Sequence, residues 1–189
     1  MIQLPLFLIG YMGAGKSTIG KSLAQRLDWA FVDMDDAFEE YYNIKVGKFI
    51  EQYGENAFRI KEKRVVEELA DCEIQKVVYA LGGGYPCWED NMDCLLELGT
   101  SVYIKWHPKH LTQRLMLTDL SLRPLLKNKT NKELLSHVQQ QMAQRDPIYR
   151  RANWVVEAPL QDFGEENDEQ IVDYLYKKIQ NYDNQRDTR

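Results

Sequence analysis

Residues Gly10 to Thr18 read GYMGAGKST, and they follow directly on the apolar run Leu4–Ile9, LPLFLI. Gly10, Gly15, Lys16 and Ser17 satisfy the spacing G-x-x-x-x-G-K-[ST], and an amphipathic pattern over Lys16–Leu27 begins where the glycines stop. Strand, glycine loop and helix in that order make a cradle for phosphate. Backbone N–H groups from Gly13, Ala14, Gly15, Lys16, Ser17 and Thr18 would point inward at a helix start whose dipole favours anions. Lys16 would reach the β- and γ-phosphates and Ser17 could ligate Mg²⁺. The loop predicts a nucleotide site and leaves its chemistry open, because GTPases, ATPase machines and small-molecule kinases all use it.

Outward from this loop, short apolar runs alternate with longer amphipathic stretches. Strands are expected at Leu4–Ile9, Ala30–Val32, Lys76–Leu81, Ser101–Trp106 and Asn153–Val156. Helices are expected at Lys16–Leu27, Asp36–Tyr42, Glu55–Ala70, Trp88–Leu98, Lys109–Leu117, Lys132–Gln144 and Glu169–Gln180. That alternation predicts an α/β fold with a central five-stranded parallel sheet and helices on both faces. Val65, Val66 and Leu69, like Leu134, Leu135 and Val138, recur at helical spacing and are assigned to the core. The polar stretch Thr118–Lys129 suits a mobile lid, and the acidic Glu157–Asp168 suits a surface linker. One domain over residues 1–180 is expected, with the lid at about 118–130 and a polar, frayed tail at 181–189.

Composition narrows the function. The 189 residues carry a net charge of −5, which argues against a nucleic-acid partner, and Lys61, Lys63 and Arg64 alternate with Glu62, Glu67 and Glu68 as on a solvated helix face. No apolar run is long enough for a membrane span, and the first residues lead into a strand rather than a cleavage site, so a cytoplasmic protein is expected. Cys72, Cys87 and Cys94 have no CxxC spacing, and His107, His110 and His137 complete no zinc pattern.

A nucleotide site needs acids and a second substrate. Leu81 is followed by glycine where a Walker B carboxylate would stand, and Asn128–Asn131 lacks the aspartate of a guanine-reading NKxD motif, so a GTPase is discounted. Phe31–Asp36, FVDMDD, supplies the acids instead. If Ala30–Val32 is a strand, Asp33 and Asp35 lie at its carboxyl end, two apart in extended chain and so on one side. One could hold a Mg²⁺-bound water while the other orients an acceptor hydroxyl and takes its proton. Asp36 suits the competing task of helix N-cap. The run Ala80–Pro86, ALGGGYP, ends a buried strand on three glycines, which alone reads as a turn or as backbone that something must approach closely. Arg59 could pair with Glu55 or Glu62, and Arg145 could be a helix C-terminal charge; Trp88, Trp106 and Trp154 adjoin strand ends and are expected only to pack.

With these pieces in order the chain resembles the shikimate kinase family, from about Leu6 to Ala152. GYMGAGKST matches its phosphate loop, FVDMD its aspartate pair, GENAFRIKE its arginine helix, ALGGG its glycine strand end, RPLL its lid and RDPIYRRA its last substrate arginine. The resemblance implies a P-loop three-layer α/β/α kinase, monomeric, that uses ATP and Mg²⁺ to phosphorylate the 3-hydroxyl of shikimate. It implies that Asp33 is linked to Mg²⁺ and that Asp35 binds the acceptor hydroxyls and acts as base. Arg59 and Arg145 would hold the shikimate carboxylate, Gly82, Gly83 and Gly84 would form the backbone wall of the pocket, Arg123 would close over the transferring phosphate, and Arg114 would lie near the adenine. Two departures stand out: the bulky Lys105–Trp106–His107 and the long acidic segment Glu157–Asp168. The alternatives are a kinase for another hydroxylated acid such as gluconate, and a nucleotide-dependent binding protein without catalysis. The glycine reading leads to a further expectation, that Gly83→Ala impairs the acceptor site and spares ATP.

Overall fold

The computed structural model describes residues 2–70, 76–117, 129–158 and 165–186. Five strands form one sheet: β1 (Leu6–Ile9), β2 (Ala30–Asp33), β3 (Val77–Ala80), β4 (Thr100–Lys105) and β5 (Trp154–Glu157). Their order is β2-β3-β1-β4-β5 and every pairing is parallel. Strand β1 is central because all four of its residues are buried on both faces, as a continuous apolar run in a parallel sheet requires. Leu6 sits between Val78 and Thr100 in register, and Phe7 stacks on Tyr79 with ring centroids 5.4 Å apart. The chain leaves β1 between β3 and β4, the point where strand order reverses and where open α/β sheets gather ligands.

Eight α-helices flank the sheet among the described residues: α1 (Lys16–Leu27), α2 (Met34–Tyr42), α3 (Val46–Tyr53), α4 (Glu55–Ala70), α5 (Asn91–Leu98), α6 (Pro108–Met116), α7 (Asn131–Tyr149) and α8 (Glu165–Arg186). Helix α1 buries Ile19, Leu23 and Ala24, and its Arg26 reaches Glu169 and Asp173 of α8. Phe38 of α2, Phe49 of α3 and Phe58 of α4 meet edge-on, with Phe38 centred 5.2 Å and 4.9 Å from the other two. This aromatic cluster ties α2, α3 and α4 into one unit beside the β2 edge.

Several boundaries differ from the sequence reading, each for a physical reason. Helix α3 was not anticipated because Gly47 stands in its first turn, yet Val46, Phe49 and Ile50 recur at helical spacing, with Phe49 buried and the other two packed against the core. Helix α2 begins at Met34, so Asp33 rather than Asp36 is the N-cap, its side chain accepting the Asp35 N–H at 3.0 Å. Helix α7 runs through Pro147 to Tyr149 instead of stopping at Gln144, and it starts with a capping box in which Thr130 and Glu133 exchange bonds. Helix α8 continues to Arg186, into the stretch expected as a frayed tail, where Tyr182 stacks on Trp154 at 5.9 Å. Most of the expected lid, including Arg123, and half of the acidic linker (159–164) lie outside the described residues, as does Cys72. None of the described helices is long and apolar enough to cross a membrane.

Candidate active site

A cavity of about 500 Å³ opens at the carboxyl end of the sheet, and its lining unites the phosphate loop, both aspartates and the glycine wall: Lys16, Ser17, Asp33, Asp35, Gly82 and Gly83 all contribute. The phosphate loop is built as its sequence implies. Gly13 and Gly15 adopt φ of +79° and +82°, conformations that L side chains rarely take, and Gly15 opens α1 with no side chain capping it. The first N–H groups of α1 are therefore presented to the cavity. Lys16 lies folded against its own loop, donating from Nζ to the Gly10 and Tyr11 carbonyls at 2.9 and 3.1 Å.

Asp33 and Asp35 are brought together by a different route from the one expected. Asp33 ends β2 and Asp35 lies in the first turn of α2, so a helix cap, not strand alternation, turns both toward the cavity. The Ser17 hydroxyl donates to Asp33 Oδ2 at 2.5 Å, joining the loop to the acidic strand end. Surrounding protein raises the Asp35 carboxyl above its ordinary pKa and the Asp33 charge adds to this, while Lys16 and Arg59 oppose it. A hydroxyl and a carboxylate at one point form a hard-oxygen donor pair that suits Mg²⁺.

Each of the three glycines has its own neighbour. A Cβ on Gly82 would stand 2.6 Å from Glu62 Oε1 and 3.5 Å from Asp35 Oδ1. One on Gly83 would press on the phosphate loop, at 3.2 Å from both the Gly10 carbonyl and the Met12 nitrogen, and one on Gly84 would collide with Arg59 Nη2 at 2.1 Å. The triplet is thus a close-approach surface rather than a flexible turn. The expectation that Gly83→Ala spares ATP changes accordingly, because its nearest neighbours belong to the phosphate loop.

Arg59 and Arg145 flank this wall from α4 and α7. Arg145 Nη1 donates to the Gly83 carbonyl at 3.4 Å, and the Tyr149 hydroxyl, one turn further along α7, donates to the same oxygen. Arg59 forks between Glu62 at 2.6 Å and Glu55 at 3.2 Å. Both pairings weighed from sequence are therefore present, but the Glu62 one is no surface contact, since Glu62 is only 2% exposed. Among the described residues its Oε1 has no hydrogen-bond partner, and burial pushes the carboxyl up to about 7 despite the pull of Arg59. Reading Glu62 as part of a solvated face was wrong. Phe58, Glu62, Val65 and Val66 are the buried residues of α4, and that helical spacing was the available signal.

Arg114 also lines the cavity, with Nε donating to the Gly13 carbonyl at 2.8 Å. Trp106, expected only to pack, donates from Nε1 to the Ala14 carbonyl at 3.0 Å and lies under the Arg114 guanidinium. Asp168, Tyr149 and Glu62 are residues of this site that the sequence reading passed over. Arg123 lies outside the described residues.

The shikimate kinase family model matches residues 12–180. The chain belongs to the shikimate kinase family. A shikimate kinase of Bacteroides fragilis is 41% identical over 153 residues, covering 81% of this chain and 84% of that one. The crystal structure of the shikimate kinase from Bacteroides thetaiotaomicron superposes with a TM-score of 0.85 at 35% identity, covering 94% of this chain and 99% of that one. The shikimate kinase from Acinetobacter baumannii, solved in complex with shikimate, gives a TM-score of 0.79 at 28% identity, with 95% and 94% covered. Family membership and the parallel five-stranded P-loop architecture therefore agree.

Proposed function

We propose that this chain transfers the γ-phosphoryl group of ATP to the 3-hydroxyl of shikimate, yielding ADP and shikimate 3-phosphate. One observation carries the reading: the phosphate loop, Asp35 and the wall of Gly82 and Gly83 line a single cavity, and beside that lining Arg145 contacts the Gly83 carbonyl and Arg59 lies against Gly84. Shikimate is a compact ring with one carboxylate and three hydroxyls, and such a wall admits a ring edge-on while the arginines take its acid.

The N–H groups of Gly13 to Thr18 hold the phosphates, and Lys16 exchanges its loop carbonyls for the β- and γ-phosphate oxygens. Ser17 and Asp33 would hold Mg²⁺, which supplies charge neutralisation at the phosphates when bound. Arg59 and Arg145 turn from Glu55 and the Gly83 carbonyl to the shikimate carboxylate; Glu62 stays behind Arg59 and sets its position. Asp35 accepts a hydrogen bond from the 3-hydroxyl, and its raised pKa makes it a better proton acceptor than an ordinary aspartate. As the substrate oxygen bonds to phosphorus, the bond to the ADP oxygen breaks and the hydroxyl proton passes to Asp35. Arg123 closes over the transferring group from the lid, excluding water that would hydrolyse ATP.

Incubation with MgATP and shikimate, read by phosphorus and proton NMR, tests the proposal. A phosphomonoester coupled to the proton on C3 is expected. Phosphate on another hydroxyl, or free phosphate alone, would overturn it.

A further inference from the structure

The acidic segment that departs from a compact family member ends on Asp168, and that residue does not behave as surface decoration. Its side chain is 9% exposed, and Oδ2 accepts a bond from Arg114 Nη2 at 2.8 Å. Arg114 is held at two further points, by the Gly13 carbonyl at 2.8 Å and by the Trp106 ring, whose centroid lies 4.7 Å from Cζ. Trp106 in turn is fixed by the Ala14 carbonyl. A Cβ on Gly15 would stand 2.8 Å from Arg114 Nη2 and 3.0 Å from each Asp168 oxygen, so the pair rests directly against the start of α1. Both residues line the cavity.

We infer that Asp168 is the positioning residue of the nucleotide half of the site: its carboxylate locks the Arg114 guanidinium between the phosphate loop and Trp106, so that a flat cation is presented to the nucleoside base. This rests on the expectation, implied by the family resemblance, that Arg114 lies near the adenine of the ATP used in the proposed reaction. An arginine side chain has large rotamer freedom and would otherwise follow the strongest nearby charge, which in the loaded site is the nucleotide's own phosphates. Asp168 neutralises that cation and fixes its plane before nucleotide arrives, so the ordering cost is met in the folded protein. It also makes α8, which is clasped to α1 through Arg26, part of the nucleotide site.

Calorimetric binding of ADP and of inorganic pyrophosphate to Asp168→Asn, Asp168→Ala, Arg114→Ala and the Arg114→Ala/Asp168→Ala pair tests this without reference to the acceptor. Loss of a hydrogen bond to a charged group predicts ADP binding weaker by about tenfold in Asp168→Ala, and by less in Asp168→Asn. Pyrophosphate binding should hold or tighten in the Asp168 variants, since they leave the phosphate loop intact, remove a negative charge beside it and free Arg114 for the phosphates. On the Arg114→Ala background, Asp168→Ala should cost nothing more. ADP binding unchanged in both Asp168 variants, equal losses for ADP and pyrophosphate, or a further loss on the Arg114→Ala background would each overturn the inference. So would loss of the folded circular-dichroism spectrum in both single variants at Asp168. Because ADP binds without shikimate, these outcomes are separate from failure of the proposed phosphoryl transfer.

Discussion

At the scale of single residues, the glycine wall proposed to receive the acceptor is a matter of what is missing as much as of what is present. Gly84 is empty because Arg59 occupies the space its side chain would need. Gly84→Ala should therefore displace Arg59 and raise KM for shikimate by about tenfold or more, on the scale expected for disturbing a buried charge pair, with KM for ATP within about twofold. Gly83→Ala should raise both, since its nearest neighbours are in the phosphate loop. Steady-state kinetics with each substrate varied in turn distinguishes the two variants; the same split in both would contradict the assignment of neighbours. For Asp35→Asn, loss of a positioned base predicts kcat lower by about 10²-fold or more with shikimate still bound, measured by turnover alongside equilibrium binding. Much of this was legible in the sequence: the loop, the aspartates, both arginines and the glycines could be named beforehand. Tyr149 and Asp168 were not named as site residues and Glu62 was weighed only as a surface partner of Arg59, because their importance lies in what they hold, and a carboxylate on a charged helix looks solvated until the sheet beneath it is placed.

At the scale of elements, the strands were readable because a parallel sheet buried on both faces leaves unbroken apolar runs, and β1 is one of these. Helix boundaries were less so. Pro147 ordinarily ends a helix, yet it lies in the last turns of α7, and the continuation to Tyr149 is what puts a hydroxyl on the Gly83 carbonyl beside Arg145. Helix α3 packs Phe49 into the aromatic cluster, with Val46 and Ile50 against the core on either side of it in sequence. At the other end of α7, Thr130 and Glu133 form a reciprocal cap immediately after the expected lid. Thr130→Ala removes it and should lower unfolding free energy by about 1 kcal/mol in urea titration. No change would show that the cap contributes nothing to α7.

At the scale of the whole molecule, the site carries a measurable charge burden. The Glu62 carboxyl is held at about 7 in the folded protein against an ordinary 4.5. Between those values the folded chain binds more protons than the unfolded one, so stability falls as pH rises. The contribution of this group is complete below pH 4.5 and is lost as pH passes through 7. Glu62→Gln cannot ionise, and its unfolding free energy should decline less between pH 5 and pH 8.5 than that of the parent, the difference amounting to no more than roughly 3 kcal/mol. Identical pH slopes in urea unfolding would contradict the buried, proton-binding state of Glu62. In the proposed reaction the same burial would serve the chemistry, with Glu62 fixing the Arg59 guanidinium that is proposed to meet the substrate acid. The central claim, that cavity, wall and arginines together select shikimate, is tested most directly by kcat/KM with saturating MgATP for shikimate against gluconate. A site built to pair a ring's hydroxyls and carboxylate predicts a preference for shikimate of at least about a hundredfold; equal or greater efficiency with gluconate, or no shikimate-dependent release of ADP, would contradict it.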